Sequence, residues 1–203
     1  MWRDAVFCFV DIETTDVNPD CGGLLEIGAI LCKGSGEVVG RFEHLVHVEV
    51  IPEVIEEITG IGLEDVRFAP SAKEVLGEFR TFIGDNVFVA HNAAFDYQFL
   101  NQCYIKFFGI GLYNPTLCTI ALAHKTIVAP RYGLSFLNEY LQIFTPNNHR
   151  AYADASTCLE IFKKCIVNVP RQVKTTRDLI FWVRKGNQKL VSRGGLEPPT
   201  SGL

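Results

Sequence analysis

Four carboxylates and one histidine stand where their types and spacing could do chemistry. Phe7-Cys8-Phe9-Val10-Asp11-Ile12-Glu13-Thr14-Thr15 puts two acids at the end of an apolar run. In an extended strand, residues i and i+2 share one face, roughly 6 to 7 Å apart along the backbone, so Asp11 and Glu13 project together. Two like charges so placed call for a cation, and a hard divalent ion with oxygen ligands is the natural partner. Taken alone the pair is also what a solvated strand end looks like. A second segment, Val89-Ala90-His91-Asn92-Ala93-Ala94-Phe95-Asp96, runs from strand-like into helix-like sequence and carries an acid in the first helical turn. The helix macrodipole favours Asp there without any function, and His91 and Asn92 could simply cap the helix. The small Ala93-Ala94 step leaves room for something to approach the backbone. The third segment, His149-Arg150-Ala151-Tyr152-Ala153-Asp154, follows the polar loop Thr145-Pro146-Asn147-Asn148, which suits either a surface histidine or a general base beside a metal-bound water.

Positioning these groups falls to a recognisable series of elements. Ala5 to Ile12 reads as a buried strand, and Leu24 to Cys32 with Glu37 to Val48 as a strand pair joined at Lys33-Gly34-Ser35-Gly36, together an antiparallel meander. Pro52 opens a short helix through Ile58. The segment Pro70 to Ile83 has Val75, Leu76, Phe79 and Phe82 at helical spacing, with Gly84 as a stop. Asn86 to Ala90 is a strand, and Ala93 to Phe108 a long helix whose apolar stripe includes Phe95, Phe99, Leu100, Cys103 and Phe107. Thr116 to Ala123 fits a strand or a helix. Leu134 to Ile143, Ala151 to Val167 and Thr175 to Arg184 read as helices. This order predicts an α/β three-layer arrangement on a mixed sheet.

Composition narrows the classes. The 203 residues are 48% apolar, enough for one packed core. The expected organisation is a domain over 1–170, a basic helix over 171–185 and a disordered tail over 186–203, where Gly, Pro, Ser and Thr dominate. Apolar runs fall far short of the roughly 20 residues that span a bilayer, and no signal-peptide pattern opens the chain, so a soluble, non-exported protein is expected. Seven cysteines without a C-x-x-C pair fit a reducing cytoplasm rather than a disulfide framework or zinc site. The net charge of −4 hides an asymmetry: residues 1–162 hold 10 Lys/Arg against 21 Asp/Glu, and residues 163–203 hold 9 against 2. An acidic body that handles a polyanion needs metal ions or local basic groups to offset repulsion.

F-V-D-I-E-T-T, H-N-A-A-F-D and H-R-A-Y-A-D, in this order, resemble the three exonuclease motifs of the DEDD superfamily, and the resemblance covers roughly Ala5 to Val167. A histidine five residues before the last Asp marks the DEDDh, or DnaQ-like, subgroup, to which the proofreading epsilon subunits of bacterial DNA polymerase III belong. The tyrosine subgroup has its tyrosine four before, where this chain has Arg150. The resemblance implies a ribonuclease H-like α/β fold: a mixed central sheet beginning with an antiparallel three-strand meander, with helices on both faces. It implies a Mg²⁺-dependent 3′–5′ exonuclease that releases 5′-mononucleotides from DNA ends by a two-metal mechanism, with Mn²⁺ able to substitute. Asp11, Glu13, Asp96 and Asp154 would hold the ions and His149 would be the general base. Thr14, Thr15, Asn92 and Thr59 would contact substrate, although Ile58-Thr59-Gly60-Ile61 also reads as an ordinary helix end. The expected partners are single-stranded or frayed DNA 3′ ends and a DNA polymerase catalytic subunit, with no membrane. Two alternatives stay open: an RNA-trimming exoribonuclease, and a non-catalytic nucleic-acid- or polymerase-binding module.

Overall fold

The structure, a computed structural model, describes residues 1–18, 22–143, 145 and 149–185. The expected disordered tail over 186–203 lies outside them. Strands β1 (Val6–Thr14), β2 (Leu24–Lys33) and β3 (Val38–Leu45) form the antiparallel meander. Helices α1 (Glu53–Thr59), α2 (Leu63–Val66) and α3 (Ala72–Ile83) follow, then β4 (Val87–Ala90), α4 (Ala93–Phe108), β5 (Thr116–Cys118), α5 (Thr119–Thr126), α6 (Leu134–Tyr140), α7 (Ala151–Ile166) and α8 (Thr176–Arg184). The sheet runs β3-β2-β1-β4-β5, with β4 parallel to both β1 and β5. This is the mixed sheet, covered on both faces, that the sequence predicts.

Alternation along β1 sets the two layers. Phe7 and Phe9 face α7, each ring meeting Phe162 at centroid distances of 5.4 and 5.1 Å. Cys8, Val10 and Ile12 face the other way, into a core shared with Phe79 of α3 and Phe99 and Leu100 of α4. The same period of two carries the phenylalanine face on to Asp11 and Glu13, which therefore lie on the α7 side. Helix α8 joins that layer through buried Leu179 and Val183.

Local chemistry explains the boundaries. Ser71 opens α3 with a capping box: its hydroxyl accepts from Glu74 N (3.4 Å), and the Glu74 carboxylate accepts from Ser71 N (2.9 Å). The ambiguous segment at Thr116 is both things in turn, because β5 pairs with β4 only as far as Ala90–Cys118, after which no neighbour remains and the chain coils into α5. Helix α6 stops at Tyr140, short of the expected Ile143: Gln142 adopts φ 54° and Ile143 N–H turns back to the Asn138 carbonyl at 2.9 Å. Strand β3 ends at Leu45, because His47 N–H leaves the ladder for Pro70 O at 2.9 Å. The single-turn helix α2 was not expected; Gly62 opens it, with its N–H bound to the Asp65 carboxylate at 2.8 Å. Among the described residues no helix is long and apolar enough to cross a membrane.

Candidate active site

The site forms where β1 outruns its parallel neighbour. β1 pairs with β4 only from Phe7 to Phe9, while its pairing with β2 continues to Thr14. On the β2 side, Gly28 stands opposite Asp11 and Glu26 opposite Glu13. Gly28 lets the first turn of α7 settle directly on the sheet: a Cβ there would lie 2.2 Å from Tyr152 N and 2.3 Å from the Ala151 carbonyl carbon. Asp154, in that first turn, then reaches Asp11 and Glu13, and one carboxylate oxygen from each of the three lies within 4.8 Å of the others.

Asp96 arrives from the opposite layer. It is 3% exposed, one turn into α4, beyond the end of β4. The backbone N–H of Ile12, which has no β4 partner at that height, favours the charged form of the Asp96 carboxyl. Asn92 makes this entry possible by adopting φ 73°, a left-handed conformation that Asn tolerates better than most residues. Asn92 is the N-cap by position but its side chain makes no capping bond, and it is exposed. His91 does not cap either. Its Nε2 donates to the Tyr132 carbonyl (2.8 Å), its Nδ1 meets the Thr119 hydroxyl (2.9 Å), and burial pushes its pKa down to about 4. His91 is thus a neutral strut that ties the start of α4 to α5.

His149 sits at the exposed rim with φ 64°, and its backbone N–H donates to Asp154 Oδ2 at 3.1 Å. Thr14 and Thr15 end β1 in partly buried positions, with the Thr15 hydroxyl accepting from Gly23 N at 2.7 Å. Thr59 is buried, and its hydroxyl is spent on the helix end, donating to Ile55 O (2.8 Å) and accepting from Ile61 N (3.2 Å). Gly60 closes α1 as a left-handed C-cap at φ 66°.

Two residues absent from the sequence expectation complete the corner. Glu26 is fully buried, and Arg150 grips it: Nη2 lies 2.7 Å from Oε1, and Nε lies 3.1 and 3.2 Å from the two oxygens. Ala151 N–H adds a bond to Oε2 at 2.8 Å. The signal was an acid in the middle of the apolar run Leu24-Leu25-Glu26-Ile27, two residues before a glycine.

Burial, reinforced by the crowding of acids, sets the electrostatics. Burial, then the charges of Asp96, Asp154, Glu13 and Glu26, push the Asp11 carboxyl well above its usual range. Burial and the neighbouring carboxylates raise Glu13 to about 8, with Arg150 acting in the opposite direction. Burial raises Asp96 to about 7 against the pull of the Ile12 N–H, and it raises Asp154 against the His149 N–H. Such a set of hard oxygen donors, each pushed toward its protonated form first by burial, and at Asp11 and Glu13 also by neighbouring carboxylates, fits a divalent cation.

The exonuclease family model named for RNase T matches residues 8–162, which contain all four acids and His149. The chain belongs to the DnaQ-like 3′–5′ exonuclease family. Within it, the chain is 35% identical over 164 residues to the PolC-type DNA polymerase III of Thermotoga maritima, covering 80% of this chain but 12% of that polymerase. It is 33% identical over 165 residues to the DNA polymerase III epsilon subunit of Aquifex aeolicus, covering 80% and 81% of the two. The fold matches Escherichia coli exonuclease I, solved with a dA16 oligonucleotide, at a TM-score of 0.75 and 17% identity over 93% of this chain and 45% of that one.

The raised carboxyls make a prediction about this exonuclease domain without substrate. A carboxyl whose pKa is higher folded than unfolded lends stability at low pH that is lost as pH rises through the folded value, here about 7 for Asp96 and about 8 for Glu13. In EDTA, thermal stability should fall from about pH 4 to about pH 8 and level off above, and the rise in Tm on adding Mg²⁺ should grow over the same window, because the cation competes with protons that the folded acids retain until those values. Thermal unfolding across that range checks both. A Mg²⁺ increment that stays flat with pH would count against metal binding at these acids.

Proposed function

We propose that the chain is a Mg²⁺-dependent 3′–5′ exonuclease that removes 5′-mononucleotides from DNA 3′ ends in proofreading or repair. The observation carrying this reading is the convergence of Asp11, Glu13 and Asp154 within 4.8 Å, beside Asp96, in a chain of this family. Asp11, Glu13 and Asp154 would hold one ion, and Asp11 with Asp96 a second. When bound, two such ions supply an activated water and charge stabilisation at both the attacking and leaving oxygens of an in-line displacement, and Mn²⁺ can take their place.

The chain's own groups do the rest. His149, at the exposed rim, takes the proton of the attacking water. Thr14 and Thr15 at the end of β1, and exposed Asn92 at the start of α4, meet the terminal nucleotide. Thr59 serves by fixing Gly60 and Ile61, since its own hydroxyl is already engaged. The DNA preference and a polymerase partner rest on the DNA polymerase III relatives and on the oligonucleotide bound to exonuclease I. The six described cysteines are all unpaired, in keeping with a reducing cytoplasm.

A labelled-oligonucleotide assay with single-stranded, duplex and mismatched 3′ ends, beside a matched RNA, tests the proposal. Metal-dependent release of mononucleotides from DNA, fastest at mismatched or frayed ends, is expected. Internal cleavage, preference for RNA, or no release with Mg²⁺ or Mn²⁺ would overturn it. In the same assay His149→Ala should slow turnover roughly 10² to 10⁴-fold, the span of general-base contributions. A loss of only a few-fold would remove His149 from that role.

A further inference from the structure

We propose that Glu26 and Arg150 are positioning residues that set the catalytic histidine, a role that rests on the exonuclease reading of the same corner. Glu26 lies beside Glu13 on the same sheet face, yet its oxygens already accept from Arg150 Nε and Nη2 and from Ala151 N–H. Its side chain is 1% exposed. It is therefore an anchor rather than a further ligand, and what it anchors is the peptide on either side of Arg150.

His149 needs such an anchor. Its φ of 64° is a left-handed conformation that non-glycine residues hold only when their surroundings over-determine it. Among the described residues the determinants are its own N–H to Asp154 Oδ2 and, on its C-terminal side, the bidentate Arg150 fork on Glu26. The fork is planar and fixed, so it specifies direction as well as attraction. Register links the clamp to the metal-holding acids: Glu26 faces Glu13 across the strands, and Gly28, two residues on, faces Asp11 and seats α7. One short stretch of β2 thus fixes both the helix that brings Asp154 and the residue that carries the proton acceptor.

The test separates positioning from mere folding. In the double variant Glu26→Gln/Arg150→Met, the amide keeps an acceptor for Ala151 N–H, the thioether chain fills the arginine stem's space, and no unpaired charge is buried. The variant should remain folded, with Mn²⁺ affinity in the absence of substrate, measured by EPR, within about threefold of wild type. Its kcat on a labelled DNA oligonucleotide should fall about 10²-fold with KM nearly unchanged, the size of effect that an ångström-scale misplacement produces. In a His149→Ala background the same two substitutions should cost almost nothing more, because groups acting as one unit are not additive.

Retention of kcat in the double variant, or losses that multiply in the His149→Ala background, would overturn the proposal. Arg150→Lys, which keeps the charge and loses the fork, gives the same reading should the double variant not fold. A wild-type protein that releases no mononucleotides would instead fail the exonuclease reading itself, and the two failures are told apart by that control.

Discussion

Asp11→Asn is expected to reduce metal-dependent hydrolysis by at least about 10³-fold, since cation stabilisation of a transition state is worth several kcal/mol and each ~1.4 kcal/mol is a factor of ten. Asp11 lies among all the other acids and would be shared by both ions in the proposed reading, so no neighbouring oxygen substitutes for it. Its stability signature should run the other way. The wild-type carboxyl is held well above its ordinary range by burial and by Asp96, Asp154, Glu13 and Glu26. A neutral, nearly isosteric amide removes that repulsion and the cost of burying the charge, so in EDTA at alkaline pH the variant should melt higher than wild type, and Mg²⁺ should add little. Single-turnover assays and melting curves with and without EDTA measure both effects. Activity near the wild-type level would sink the assignment of Asp11, and a melting point lowered in EDTA would sink the electrostatic account.

Gly28→Ala should be nearly as damaging without touching a charged group. The new Cβ would meet Tyr152 N at 2.2 Å and the Ala151 carbonyl carbon at 2.3 Å, both backbone atoms of a helix with ten buried residues, so the first turn of α7 must lift. Overpacking of this kind costs ~1–3 kcal/mol. The lift also carries Asp154 and His149 away from β1, and a shift of about 1 Å at a catalytic group can cost ~10²-fold in rate. Gly77→Ala is the control of opposite sign: it lies within α3 with open space around it, so alanine should stabilise by about 0.5–1 kcal/mol and leave turnover alone. Denaturant titration with kcat measurements on both variants separates the two glycines. Equal behaviour would mean that the seating of α7 on the sheet is not tight.

Much of this architecture was readable because it is local. The apolar alternation of β1 places Asp11 and Glu13 on the face of Phe7 and Phe9, and the stripe Phe99, Leu100 and Cys103 predicts α4 over the span observed. What stayed hidden is tertiary. Glu26 and Arg150 are 124 residues apart, and an acid in a buried strand carries no mark of the partner that will neutralise it. His91 reads as a helix cap, yet its bonds go to Thr119 and Tyr132, 28 and 41 residues away. The left-handed turn at Asn92 lets α4 start at once and could not be told from an ordinary cap. Helix α2 is four residues long, too short for any periodicity to show.

The overhang of β1 beyond β4 has one more consequence. At Ile12, beyond the last β4 pairing, the main-chain amide favours the charged form of the Asp96 carboxyl, so an amide inside the fold is coupled to a group whose charge changes with proton and cation occupancy. The exchange rate and the ¹⁵N–¹H resonance of that one amide should therefore follow the ionic state of the catalytic corner. A single buried probe would then read out how the carboxylates are loaded, with neither substrate nor turnover required.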